Sequence, residues 1–502
     1  MIARRWLIAA GLACALAALR AQHAPITHLV IVVDGLRPDY VTPEVMPRLI
    51  RLKERGIEFT AHHSVFPTVT RVNASSFVTG SYPEAHGILG NTIYIPSANA
   101  HKPLDTGDRD NLLAVEHGEG RLLTAPSLGE ILARAGMTML GVSSGSTGSS
   151  FLLNHTVASG AVIHYDYVLP PALGPAVAER LGPAPPAAVP NDARNQRAID
   201  SFLTIGLDEI HPDVTFMWLN DPDGTAHSNG IGSEITRRSL SLVDAGIGRL
   251  EDALRERGLL DRTNILVTSD HGFSTHTGTF DLAKLVAPLT HTVDGEPDTV
   301  VAEGAIHLRP PDATRTAAIV AALQKRAEVG AIFTRPRVTG GVEGIVPGTL
   351  SFDVARWNHA RAGDILVSAN WTADRNAAGF AGTTTDEGVA GHGSSSPYDV
   401  HNTLIAAGPA FREHTTSDVP TSNVDIAPTL LRLLGVPVPS TMSGRVFDEG
   451  FRNGPSPRSV KVKRTGETVR TADGSYQLTA RLSIVAGHRY LDFTTVSRPG
   501  RR

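Results

Sequence analysis

His28-Leu29-Val30-Ile31-Val32-Val33, running directly into Asp34-Gly35-Leu36-Arg37-Pro38-Asp39, is the stretch that decides the fold. A nearly continuous apolar run of this length predicts a strand buried at the centre of a mostly parallel sheet, and the polar ending predicts a turn at the sheet's carboxyl edge. The next units keep the rhythm. Thr42-Pro43-Glu44 predicts a helix start, with Met46, Leu49, Ile50 and Leu52 on the inner side, and Gly56-Ile57-Glu58-Phe59-Thr60 resumes a strand. Helices expected at 127–135, 195–206 and 239–257 precede strands expected at 138–142, 214–219 and 264–268. Each of these strands ends in polar residues, and in open α/β sheets that edge is where ligands bind.

Farther along, the Pro- and Ala-rich segment 170–190 predicts a loop, and residues from about 280 to 385 break the alternation, as an inserted smaller α+β subdomain would. The core resumes at Thr403-Leu404-Ile405-Ala406-Ala407 and a helix over 425–434, stopped by Gly435 and Pro437. The expectation is an α/β three-layer sandwich, a large mostly parallel sheet flanked by helices, over residues 24–453. Residues 454–502 form a basic tail whose role the sequence does not give.

Composition narrows the partners. A 502-residue chain that is 41% hydrophobic and 19% charged can bury a large core, and a net charge of -4 gives no support for binding nucleic acid or anionic lipid. Arg4 and Arg5 before the apolar run from Trp6 to Leu19, ending in Leu19-Arg20-Ala21, predict a signal peptide over residues 1–21 and a periplasmic or secreted protein. The run is shorter than a bilayer span needs, so no transmembrane segment is expected after cleavage. Gly11 stands where a lipoprotein box wants a larger aliphatic residue, which argues against anchoring at Cys14. Cys14 is the only cysteine, so a metal site in the mature chain must use His, Asp and Glu.

Such residues collect where strands should end: Asp34, Asp270-His271, Asp223 with His227 four residues on, and His392 between glycines. With the hydroxyl of Thr70, in Phe66-Pro67-Thr68-Val69-Thr70-Arg71-Val72-Asn73, they suffice for two zinc-like ions. Each has a bland competitor. An Asp after a strand is commonly a turn or helix cap, and Thr70 alone would be a helix N-cap.

The joint pattern resembles a known family. Asp34-Gly-Leu-Arg-Pro-Asp, the Thr70 stretch with Thr79-Gly-x-Tyr-Pro-Glu-x-His-Gly, Asp221-Pro-Asp223 with His227, Ser269-Asp270-His271-Gly272 and Gly391-His392-Gly393 stand in the order of the type I phosphodiesterase and nucleotide pyrophosphatase branch of the alkaline phosphatase superfamily. The resemblance implies an alkaline-phosphatase-like fold and two Zn2+ per chain. Asp34, Thr70, Asp270 and His271 would hold one, and Asp223, His227 and His392 the other. It also implies a small phosphate ester substrate, Thr70 as the nucleophile of a covalent phospho-enzyme, and Asn91 as a donor to a non-bridging phosphate oxygen.

Substrate class is where the match departs. Nucleotide-cleaving relatives place an aromatic residue just after the nucleophile, and here Arg71 stands there. Trp218 resembles a second stacking position, with a core aromatic as the competing reading. Monoesterase relatives use a Lys or Arg pair, and Ser143–Ser149 offers no cation, which favours a phosphodiesterase over a phosphomonoesterase, with Arg71 as the residue that could reverse the preference. A metal-free serine hydrolase lacks a nucleophile elbow. A non-catalytic binding protein on the same fold would be expected to have lost ligands, and none of the seven is missing.

Overall fold

The quoted run forms the middle of a nine-stranded sheet in the computed structural model, which describes residues 26–293 and 295–499; the expected leader, residues 1–21, lies outside them. Its strands are β1 (Thr27–Val33), β2 (Gly56–Phe59), β3 (Met139–Ser143), β4 (Gly160–His164), β5 (Val168–Leu169), β6 (Val214–Leu219), β7 (Thr263–Thr268), β8 (Leu404–Ala407) and β9 (Thr415–Ser417). The spatial order is β9-β2-β8-β7-β1-β6-β3-β4-β5. From β7 to β4 all neighbours are parallel, whereas β8 runs antiparallel to both β7 and β2, and β5 antiparallel to β4.

The strand period of two divides the apolar run of β1 between two cores. Val30 and Val32 join Phe216, Leu266 and Phe77 on one face, and Leu29, Ile31 and Val33 join Leu49, Leu52, Val243, Ile247 and Leu250 on the other. That sharing is why every position from Leu29 to Val33 is apolar. Each such side chain contributes about 1.5–3 kcal/mol of transfer free energy. Helices cover both faces: α1 (Pro47–Glu54), α2 (Thr70–Thr79), α3 (Asp223–Asn229), α4 (Glu234–Glu256) and α5 (Ile426–Leu433). α1 and α4 lie with the second core, α2 and α5 with the first.

Two helix starts differ from expectation for local reasons. α1 begins at Pro47 rather than near Thr42, because Val45 and Met46 donate back to Thr42 in a turn and Pro47 supplies the pre-set φ of a first helical residue. α4 begins at Glu234, five residues before the expected start, because the Ser233 hydroxyl caps Thr236 N–H at 3.2 Å.

Beyond the main sheet, Thr299–Ala302, Ala305–Leu308, Ile365–Ala369, Val329–Thr334 and Leu350–Ser351 build a separate five-stranded sheet. Ser274–Phe280, Trp371–Arg375, Ala381–Asp386 and Ala390–Gly391 make a four-stranded sheet that leads from the end of β7 to His392. The stretch from 454, whose role was unreadable, contains a three-stranded meander of Val462–Arg470, Gln477–Val485 and His488–Ser497. It packs on the core. Tyr490 donates to Asp425 at 2.9 Å, and Thr494 accepts from Trp371 and donates its N–H to Ser395 O at 3.0 Å, bracing the loop just after His392. Among the described residues no helix is long and apolar enough to cross a membrane.

Candidate active site

Three adjacent strands, β7, β1 and β6, deliver their following residues to one edge of the sheet. Asp34 follows β1, Asp270 and His271 follow β7, and Asp223 opens α3 just after β6. His227 lies one turn along α3 on the same face as Asp223. His392 arrives from the four-stranded sheet, and Thr70 from the first turn of α2.

The seven positions fall into two groups. Asp34, Asp270 and His271 bring ligand atoms within 4.8 Å of one another, and so do Asp223, His227 and His392. In the first group His271 Nε2 is 3.0 Å from Asp270 Oδ2, 3.5 Å from Asp34 Oδ1 and 3.4 Å from Thr70 Oγ1. In the second, Asp223 Oδ1 is 3.2 Å from His227 Nε2 and 3.3 Å from His392 Nε2. The groups touch, because the His271 and His392 rings stack with centroids 3.4 Å apart.

The protons decide what these groups can do. Each histidine has Nδ1 on a backbone carbonyl: His271 on Gly272 O at 2.9 Å, His392 on Thr68 O at 2.8 Å and His227 on Ala390 O at 3.0 Å. A carbonyl only accepts, so each Nδ1 carries a proton and each ring aims its Nε2 inward, as a metal-binding lone pair once any proton there is displaced. The carboxylates are held in the same one-sided way. Asp34 Oδ2 accepts from Trp218 Nε1 at 2.9 Å and Asp270 Oδ1 from Gly35 N–H at 3.2 Å. Asp34 Oδ1, Asp270 Oδ2 and Asp223 Oδ1, the oxygens facing the Nε2 atoms, are buried without a hydrogen-bond partner. These oxygens need a positive charge between them and the rings, either a proton on Nε2, as Asp223 favours on His227, or a metal ion that displaces it. Electrostatics say the same: burial and the Asp270 and Asp223 carboxylates together push the Asp34 pKa well up, a cost that a cation removes. His, Asp and Thr donors without sulfur suit a zinc-like ion.

Thr70 is not the helix cap of its default reading. Val69 occupies the cap position, and the Thr70 hydroxyl, 5% exposed, makes no cap bond, leaving it for the cluster. The Asn73 side chain fixes the approach to Thr70: its Oδ1 accepts from Val65 N–H at 2.8 Å and its Nδ2 donates to Val65 O and Val69 O. Asn423, which sequence reasoning missed, ties Asn73 to Asp270 O. Asn91 Oδ1 accepts from the Arg71 N–H at 3.0 Å, which fixes the amide so that Nδ2 is the donor. The Arg71 guanidinium, 17% exposed, pairs with Asp105 at 3.4 Å.

Trp218 corrects an expectation. It is 0% exposed and cannot stack on a ligand; its indole packs against Phe77 and holds Asp34. A half-buried ring on this edge is Tyr165, in a cleft with Arg194, Asn220 and Thr225. Trp218→Phe keeps an aromatic ring against Phe77 but removes the bond to Asp34, so we expect metal affinity to fall about 10- to 100-fold, as read by competitive zinc titration, alongside a lower melting temperature from the void left in the core.

The model of type I phosphodiesterase / nucleotide pyrophosphatase matches residues 28–392, from β1 to the last proposed ligand. The chain belongs to this family. Ectonucleotide pyrophosphatase/phosphodiesterase family member 1 of Homo sapiens is 28% identical over 246 residues, 49% of this chain and 23% of that protein. Bis(5'-adenosyl)-triphosphatase enpp4 of Mus musculus is 25% identical over 421 residues, 81% of this chain and 77% of that protein. The chain therefore matches about a quarter of the first relative and about three quarters of the second. Murine ectonucleotide pyrophosphatase / phosphodiesterase 5 superposes with a TM-score of 0.57 at 19% identity, over 82% of this chain and 96% of that one, and shares the fold. All seven proposed ligands, Thr70 included, lie inside the span matched by the family model.

Proposed function

We propose that this chain is an exported, two-zinc phosphoric ester hydrolase, with a preference for phosphodiesters, that works through a phospho-Thr70 intermediate. The observation that carries this is the set of three buried, unpartnered carboxylate oxygens facing three inward Nε2 atoms with the Thr70 hydroxyl beside them. Asp34, Thr70, Asp270 and His271 would hold one ion, and Asp223, His227 and His392 the other. When bound, such ions would supply Lewis acidity and lower the pKa of a hydroxyl or water toward neutrality.

The residues carry the steps. Thr70 Oγ1, ionised, attacks phosphorus; an O–P bond forms as the bond to the leaving oxygen breaks. The amide groups opening α2 and the Asn91 Nδ2 donor stabilise the equatorial charge. Water then attacks the phosphothreonine, the Thr70 O–P bond breaks, the phosphate monoester leaves with the water oxygen, and a water proton returns the Thr70 hydroxyl. The pairing of Arg71 with Asp105 offsets its charge, which weighs against a grip on a doubly charged terminal phosphate and favours a diester. Export rests on the predicted leader, and N-terminal sequencing of the mature protein checks it.

The substrate test compares bis-p-nitrophenyl phosphate with p-nitrophenyl phosphate on zinc-loaded protein. We expect kcat/KM at least about tenfold higher for the diester, equal to some 1.4 kcal/mol of transition-state preference. Preference for the monoester overturns this substrate assignment.

A further inference from the structure

Asn91 is clamped on every side but its donor. Its carbonyl accepts from Thr106 N–H at 2.8 Å and Thr106 Oγ1 at 2.7 Å, and its side-chain oxygen takes the Arg71 amide. Its own N–H donates at 2.6 Å to Glu303 Oε2. Glu303 comes from another body of the fold. It sits at the tip of the hairpin between Thr299–Ala302 and Ala305–Leu308 in the five-stranded sheet, 212 residues along the chain. We infer that Glu303 is the positioning residue for Asn91, so that the five-stranded sheet, far from being a passive insertion, sets the phosphate donor.

Two further features bear on this carboxylate. Glu303 has φ 53, the left-handed conformation that a two-residue hairpin turn demands and that glycine adopts at no steric cost. The turn accounts for that conformation, as it does for Ala486 in the C-terminal meander, and glycine at 303 fits it without cost. Opposite it, a Cβ on Gly90 would lie 2.7 Å from Glu303 Oε2, so the chain leaves room for the carboxylate to reach the backbone. Glu303 also lines one cavity with Val69 and His392, placing it beside the reaction centre rather than on a remote face. A charge-assisted bond to the Asn91 amide fixes the backbone that carries the donor. Without it that backbone gains freedom, and the Nδ2 donor leaves the position it must hold as charge develops.

This inference rests on the role proposed for Asn91, and Glu303→Gly tests it cleanly, because glycine suits the turn better than glutamate. We expect zinc-loaded Glu303→Gly to melt no lower than wild type, while its kcat for bis-p-nitrophenyl phosphate falls about 10- to 100-fold and KM moves less than about threefold. Glu303→Gln, which keeps an acceptor but not the charge, should recover part of the loss. Asn91→Ala should lose about 100-fold in kcat or more, and adding Glu303→Gly to it should cost little further, because both act through one donor. Full kcat in Glu303→Gly beside an impaired Asn91→Ala, or fully additive losses, overturns the positioning role alone. An Asn91→Ala variant with full activity overturns the reading beneath it.

Discussion

Thr70→Ala is expected to abolish turnover while leaving a folded protein that still binds metal. The threonine is nearly buried but makes no capping bond, so its removal spares α2, whose cap residue is Val69 and whose approach is fixed by Asn73. Only one of the ligands around His271 is lost. What disappears is the atom that must bond to phosphorus, and removing a nucleophile of this kind lowers kcat by about 10⁴-fold or more, leaving the residual from binding and charge stabilisation. Thr70→Ser should retain measurable activity, because the hydroxyl survives. The check is kcat on bis-p-nitrophenyl phosphate together with acid-stable labelling of Thr70 by a phosphorylated substrate. Full activity in Thr70→Ala would remove the covalent mechanism, since among the described residues no other hydroxyl bonds His271 Nε2.

Metal removal is expected to be as damaging, and its pH dependence has a definite sign. Chelation should reduce activity to background and lower stability, by about 4 kcal/mol per site at a free metal concentration a thousandfold above Kd. Burial opposes charging of His227, yet the Asp223 carboxylate beside it outweighs burial and raises its pKa to about 8. A cation at this site must therefore displace that proton. Its apparent affinity should weaken about tenfold for each pH unit below 8 and level off above it. Metal-free protein should show the opposite trend for this pair: the His227–Asp223 stabilisation is fully present below the ordinary histidine value of 6.5 and is lost as pH rises through about 8. Titration calorimetry in buffers of differing ionisation enthalpy reads the released proton. A pH-independent zinc affinity between 6 and 8 would contradict the assignment, as would activity unchanged by exhaustive chelation.

Much of this site was legible because its chemistry follows apolar runs. A buried strand must end somewhere, and Asp34, Asp223 and Asp270-His271 stand just beyond the ends of β1, β6 and β7. Parallel neighbours put such endings on one edge, so the ligands could be gathered from sequence before any distance was known. The direction of a side chain at the end of a strand was not legible. Trp218 fits a stacking ring or a core ring equally well in the sequence, and only the neighbours β1 and β3 together with Phe77 enclose it and leave its N–H facing Asp34.

Local order therefore determined the α/β layering and the acidic and histidine residues at strand ends, because periodicity and residue chemistry act over a few positions, while the set of seven and the role proposed for Thr70 came from the resemblance to the family. The tertiary structure decided what holds them: Thr68 O on His392 across 324 residues, Glu303 on Asn91 across 212, and the C-terminal Thr494 on Ser395 across 99. Backbone carbonyls and amides are the same in every residue, so a sequence carries no mark of which of them will orient a histidine or fix a donor. That choice is made only when the packed sheets bring distant segments together and every buried polar group must find its partner.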